Sequence, residues 1–186
     1  MITNIVEAVQ KHLGYPPLQK VNPNSQEVKD IADRSSGEKL AQSAITAVLA
    51  GLVKFSRSDN GANYLVSGGT QQNWLDLIFA DKQSEAVDKV AQYSKTSVPE
   101  ATEHMQKIAN EAVKLIHEST GNKETPEKIK TYMKGQRHNI LLYLPAAMQL
   151  GDLLNDDTLD DRTNKMEGPI SNFMHNIENK LSGGGS

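Results

Sequence analysis

The chain has no cysteine, which excludes disulfides, thiolate catalysis and thiolate metal sites. Aromatic residues make up only 5% of its 186 residues, with one tryptophan, Trp74, which reads as a core anchor. No sign of charge dominates: 20 Lys and Arg stand against 23 Asp and Glu, a net charge of −3. The basic excess of a general nucleic-acid binder is therefore missing. No apolar run reaches the roughly 20 residues that a membrane-spanning helix needs. The opening residues, Met1 to Glu7, lack a basic segment followed by an apolar one, so no secretory signal is read and a reduced cytoplasm is the expected compartment.

Catalytic signatures are missing too. Gly68-Gly69 has neither the Walker lysine nor a spaced third glycine. There is no Gly-x-Ser-x-Gly elbow and no His-Glu-x-x-His zinc motif. Glu100, Glu103, His104, Glu111, His117 and Glu118 crowd one stretch, yet no Glu-x-x-His of the di-iron kind occurs. That stretch reads as a solvated helix face. No catalytic residue and no cofactor are expected.

What is present is helical periodicity. Over 44–55, Ile45, Val48, Leu49, Leu52 and Phe55 recur at helical spacing, and Ala44, Ala47, Ala50 and Gly51 fill the other faces. A helix apolar nearly all round belongs in the centre of a bundle, with Lys54 reaching solvent. Before it, Thr3 caps a helix over 4–13 that Gly14 and Pro16-Pro17 stop, and a short helix spans 26–33. The central helix starts near Glu38. After it come one helical turn at 62–66, a helix from the Thr70 cap to Ala80, and another beginning at Ser84. Pro99 opens a long helix reaching His117 or Glu118, closed by Gly121, and Thr125-Pro126 opens a helix ending at Met133, with Gly135 as its stop. A second strongly apolar segment spans 139–154, kinked at Pro145, and a last amphipathic helix covers 170–181 after Gly168-Pro169. Residues 28–55 and 87–116 share a short-helix, turn, long-helix plan, repeated more loosely over 130–150. The fold class is all-α: one helical-bundle domain over 1–181, with a flexible Gly/Ser tail at 182–186.

The run Ile45-Thr-Ala-Val-Leu-Ala-Gly-Leu, then Asn60-Gly-Ala-Asn, then 87–113 and 140–150 with Leu144-Pro145, resembles the bacterial domain of unknown function 937, or YidB-like, family. The likeness spans roughly 1–181. It implies a helical bacterial protein, often with a glycine-rich tail such as Gly183 to Gly185, and supplies no reaction and no catalytic residue.

Two polar constellations remain. In the acidic loop 155–161, a calcium-loop register starting at Asp156 places Thr158, Asp160, Arg162, Asn164 and Glu167 at the other ligand positions. Asp156, Thr158, Asp160 and Glu167 are the oxygen donors such a site would use. Asp161 stands where the loop needs glycine and Thr163 where it needs an apolar residue, so the expected state is a hydrated, exposed loop without metal. Lys123, Lys128, Lys130, Lys134, Arg137 and His138 flank a helix-turn-helix-like break at Gly135, but the following Asn-Ile-Leu-Leu-Tyr-Leu-Pro belongs in a core, not on base edges. The function expected is non-catalytic, through contact with a protein partner or a second copy, with no nucleic acid and no membrane span. The alternative is a small-ligand-binding protein or an enzyme with a cavity among the helices.

Overall fold

The computed structural model describes residues 4–69, 72–121 and 123–156. They form α1 (Ile5–Leu13), α2 (Ser36–Arg57), α3 (Asp59–Ser67), α4 (Trp74–Phe79), α5 (Gln83–Ser94), α6 (Val98–Thr120), α7 (Pro126–Leu141) and α8 (Leu150–Leu154). Three 3-10 turns join them, and there is no strand among the described residues. The expected helix over 170–181 and the tail lie outside the described residues.

Helix α2 is the hub: it packs against each of the other α-helices described. Ile45, Val48, Leu49 and Leu52 have no exposed surface, while Lys54 is only half-buried. The helix begins with a reciprocal cap. Ser35 Oγ accepts from the Glu38 amide at 3.2 Å, and Glu38 Oε2 accepts from the Ser35 amide at 2.9 Å. Those Ser35 donors, the backbone amide first, hold the Glu38 carboxyl below its usual range. Buried hydroxyls on α2 bond back into their own helix: Ser43 donates to the Lys39 carbonyl at 2.7 Å and Thr46 to that of Gln42 at 2.6 Å. Such back-bonding lets polar residues enter a core with no partner on another element. Ser94 and Ser119 also bond back into α5 and α6, and add contacts to Thr96 and to the Tyr132 hydroxyl of α7.

Two glycines allow close approach. At Gly51 an added Cβ would sit 2.5 Å from Ile78 Cγ2, so α4 lies directly on the α2 backbone. Ser58 ends α2 and caps α3, accepting from the Gly61 amide at 2.9 Å. The turn is so tight that a Cβ on Gly61 would overlap the Phe55 carbonyl oxygen. Backbone cannot yield as a side-chain tip can, so we expect Gly61→Ala to cost about 2 kcal/mol despite alanine's better helix propensity. Chemical denaturation checks this; a stabilised variant would show that the α2–α3 turn is looser than described.

Several boundaries differ from the sequence reading. Asn4, not Thr3, caps α1, its side chain accepting from the Val6 and Glu7 amides. The expected helix over 26–33 is reduced to a 3-10 turn, Ile31–Asp33, because Gln26 and Asp30 both adopt positive φ, 55° and 54°. The first short-helix, turn, long-helix unit therefore lacks its short helix, whereas α5 and α6 keep the plan. The expected turn at 62–66 is a full helix, α3, and α4 stops at Phe79 because Ala80 turns to φ 49°; the Thr70 cap lies outside the described residues. Helix α7 runs through Gly135, since Ile129, Tyr132, Met133, Gln136 and Ile140 continue one buried stripe across it. The apolar segment after it is not one helix but the end of α7, a turn, a 3-10 turn over Ala146–Met148, and α8.

The irregular segments support each other. Val21 donates to the Leu142 carbonyl at 2.9 Å, and Ala146 to that of Gln26 at 2.9 Å. Gln42, 3% exposed on α2, joins both segments. Its Oε1 accepts from the Gln19 amide at 2.9 Å, and its Nε2 donates to the Gln19 and Tyr143 carbonyls at 3.0 and 2.5 Å. Gln136, also buried, accepts from the Ile5 amide at 3.0 Å and so ties the start of α1 to α7.

Candidate functional site

The sequence-predicted calcium donors can be placed at one position. Asp156 is buried, 7% exposed, not part of an exposed loop as expected. Its Oδ2 accepts from Arg57 Nη1 at 2.6 Å, and its amide donates to the Gly151 carbonyl at 2.8 Å. The carboxylate thus docks the end of α8 on the end of α2 and faces a guanidinium. Thr158, Asp160 and Glu167 lie outside the described residues. With Asp156 already committed to a cation, we expect calorimetry to show no one-to-one calcium isotherm at the micromolar affinity typical of sensor loops. A micromolar isotherm abolished by Asp156→Ala and Glu167→Ala would overturn this.

The polar residues of α6 do not converge. Glu100, Glu103 and Glu118 are exposed, as a solvated face requires. His104, Glu111 and His117 are instead partly buried against other elements. Tyr15 Oη and His104 Nδ1 are 2.5 Å apart, His12 Nδ1 and Glu111 Oε1 3.0 Å, and His117 Nδ1 and Glu124 Oε2 2.7 Å. Burial, with the Glu103 charge second, pushes the Tyr15 hydroxyl up to about 12. Among the described residues no group of three metal-ligating side chains gathers. The partners are 89 and 99 residues apart for Tyr15 and His12, so no local pattern could announce them.

The basic stretch forms no DNA-reading element. Helix α7 continues through Gly135, so the turn between two helices is absent. Lys130 pairs with Asp59 of α3, holding that carboxyl below its usual range, and Lys128 Nζ donates to the Lys123 carbonyl at 2.8 Å.

Of the concave surfaces among the described residues, two carry the most polar linings. The larger is an open groove between the start of α4, the start of α5 and the first half of α6. Five amide side chains line it, Gln72, Asn73, Gln83, Gln106 and Asn110, together with Thr102 and the carboxylate of Glu103. Gln106 builds the wall, donating to the Gln72 carbonyl and to Asn110 Oδ1, both at 2.9 Å. Leu75, Val98 and Pro99 supply the aliphatic surface, and Val98 is 48% exposed. The smaller surface is lined by Val66, His117, Glu118, Gly121 and Glu124. There His117 Nε2 is buried with no hydrogen-bond partner among the described residues. The Tyr93 hydroxyl is likewise buried and unpartnered among them; burial, with the Glu27 charge second, pushes it up.

No protein-family model matches this chain, and no curated protein or solved structure matches it significantly.

Proposed function

We propose that the chain is a non-catalytic, protein-binding helical domain of the bacterial cytoplasm, and that its α4–α6 groove receives an extended peptide segment of a partner. The lining of that groove carries the reading. Gln106 and Asn73 already donate to Gln72, Asn110 and Asp76, which leaves the Gln72 and Gln83 amides, each both donor and acceptor, to meet the alternating N–H and C=O groups of an extended main chain. Val98 and Pro99 offer a place for one apolar side chain beside them. The likeness to the YidB-like family, on the residues quoted above, agrees with a function that lacks a reaction. A second copy of the chain is the other partner this reading allows.

The test is selection of peptides from a displayed random library on the folded protein, followed by calorimetry. Bound peptides should lose at least about tenfold in affinity with Val98→Lys, a change of roughly 1.4 kcal/mol. Asp88→Lys, at an exposed position on α5, should leave binding unchanged. Failure to select any peptide, or equal binding by Val98→Lys, sinks the reading.

A second reading rests on His117. A histidine oriented by a carboxylate, with its other ring nitrogen lacking a partner, is the arrangement of a general base or of a group awaiting a ligand donor. Here a small polar ligand in the Val66–Gly121 pocket would complete it. Thermal shifts with small-ligand panels, lost in His117→Phe, would favour this reading over the groove.

A further inference from the structure

Asn60-Gly61 is the sole Asn-Gly pair in the sequence, and it stands in the first turn of α3. Glycine after asparagine leaves the following amide nitrogen unhindered for attack on the asparagine side chain, because glycine carries no Cβ. We propose that Asn60 is a deamidation site kept closed by the Ser58 cap. In the reaction, the Gly61 nitrogen gives its proton to solvent base and attacks Asn60 Cγ. The Cγ–N bond breaks and ammonia leaves, forming a five-membered succinimide. Water then opens either carbonyl, yielding aspartate or isoaspartate; water is the only co-reactant.

The geometry explains both the opportunity and the restraint. Asn60 is exposed, so solvent base reaches it. The Gly61 N–H is engaged, donating to Ser58 Oγ at 2.9 Å, while that hydroxyl donates to the Phe55 carbonyl at 3.2 Å. Asn60 lies in helix, and helical ψ is not the rotation that brings the following nitrogen onto the side-chain carbonyl carbon to close a five-membered ring. Gly61 is packed so closely that an added Cβ would overlap the Phe55 carbonyl oxygen, so the turn that holds its nitrogen is tight. Reaction therefore requires the turn to open, and its rate follows the open population.

The two products have opposite consequences. Aspartate at position 60 adds a carboxylate beside Asp59, in the first turn of a helix, where negative charge is favoured. Isoaspartate routes the main chain through the β-carbon and inserts an atom immediately before Gly61. That displaces the amide from Ser58 and the α-carbon from its slot against Phe55.

The full-length protein is incubated in mildly alkaline buffer, with and without urea, and read by intact mass and by peptide mapping of isoaspartate at position 60. The folded chain should react at least about tenfold more slowly than the urea-unfolded chain, as for an opening cost of about 1.4 kcal/mol or more. Ser58→Ala, which removes the cap, should react about five-fold faster than the parent when folded. Ser58→Thr, which keeps a capping hydroxyl, should stay near the parent rate. Equal rates for folded and unfolded parent overturn the proposal. So does a folded Ser58→Ala that reacts no faster than the parent, or a Ser58→Thr that reacts much faster than it.

Discussion

Leu49→Asp should unfold the protein or lower its stability by about 3–5 kcal/mol, the scale of an uncompensated buried charge. Leu49 has no exposed surface and sits mid-way along α2, the helix every other described helix packs on. A carboxylate there would stand inside the hydrophobic core cluster of which Leu49 is part. It must either ionise in a dry site or stay protonated at neutral pH, and both oppose folding. Lys54→Asp, one turn further along and half-buried, should change stability by about 0.5 kcal/mol or less. Native domains have only about 5–15 kcal/mol in hand, so the two variants should separate clearly in urea. Midpoints that coincide would mean that α2 is not the centre of the fold.

Gln42→Leu should cost about 3 kcal/mol. The substitution keeps the volume but leaves the Gln19 amide, the Gln19 carbonyl and the Tyr143 carbonyl without their partner. Each buried group so orphaned costs ~1–3 kcal/mol, less where water reaches it. Tyr143 is buried and the Gln19 contacts are only partly so, and water reaching the Gln19 groups keeps the sum at the low end, about 3 kcal/mol. Ser43→Ala, one residue away and also fully buried, should cost about 1 kcal/mol or less, because its hydroxyl bonds only within α2. Hydrogen exchange gives an independent readout: the Val21 amide, bonded to the Leu142 carbonyl, should exchange faster in Gln42→Leu and not in Ser43→Ala. Unchanged stability together with unchanged exchange would show that the glutamine does not hold the two irregular segments.

The sequence by itself determined the all-α class, the buried central helix and most helix starts. Those features are written locally. Ser35 with Glu38, Ser97 before Pro99, and Thr125 before Pro126 each satisfy first-turn amides within three residues, and Ile45 to Leu52 mark a helix by spacing alone. Where the sequence misled, a local signal was outweighed by a distant partner. Gly135 looks like a stop, yet the buried stripe from Ile129 to Ile140 carries α7 through it at a cost of only about 1 kcal/mol. Residues 26–33 look helical, yet Gln26 and Asp30 take positive φ, and the Gln26 carbonyl and the Glu27 carboxylate accept from the Ala146 and Ala147 amides instead. Asp156 looks like part of a solvated acidic loop, and Arg57, 99 residues away, makes it a buried anchor. The His117–Glu124 and Tyr15–His104 pairs and the amide-lined groove are likewise products of tertiary packing. Caps and periodicity are satisfied by neighbours in the chain, so they are legible in it. Backbone groups of irregular segments and side chains of a site are satisfied across the fold, and only the packed structure decides which distant residues meet them.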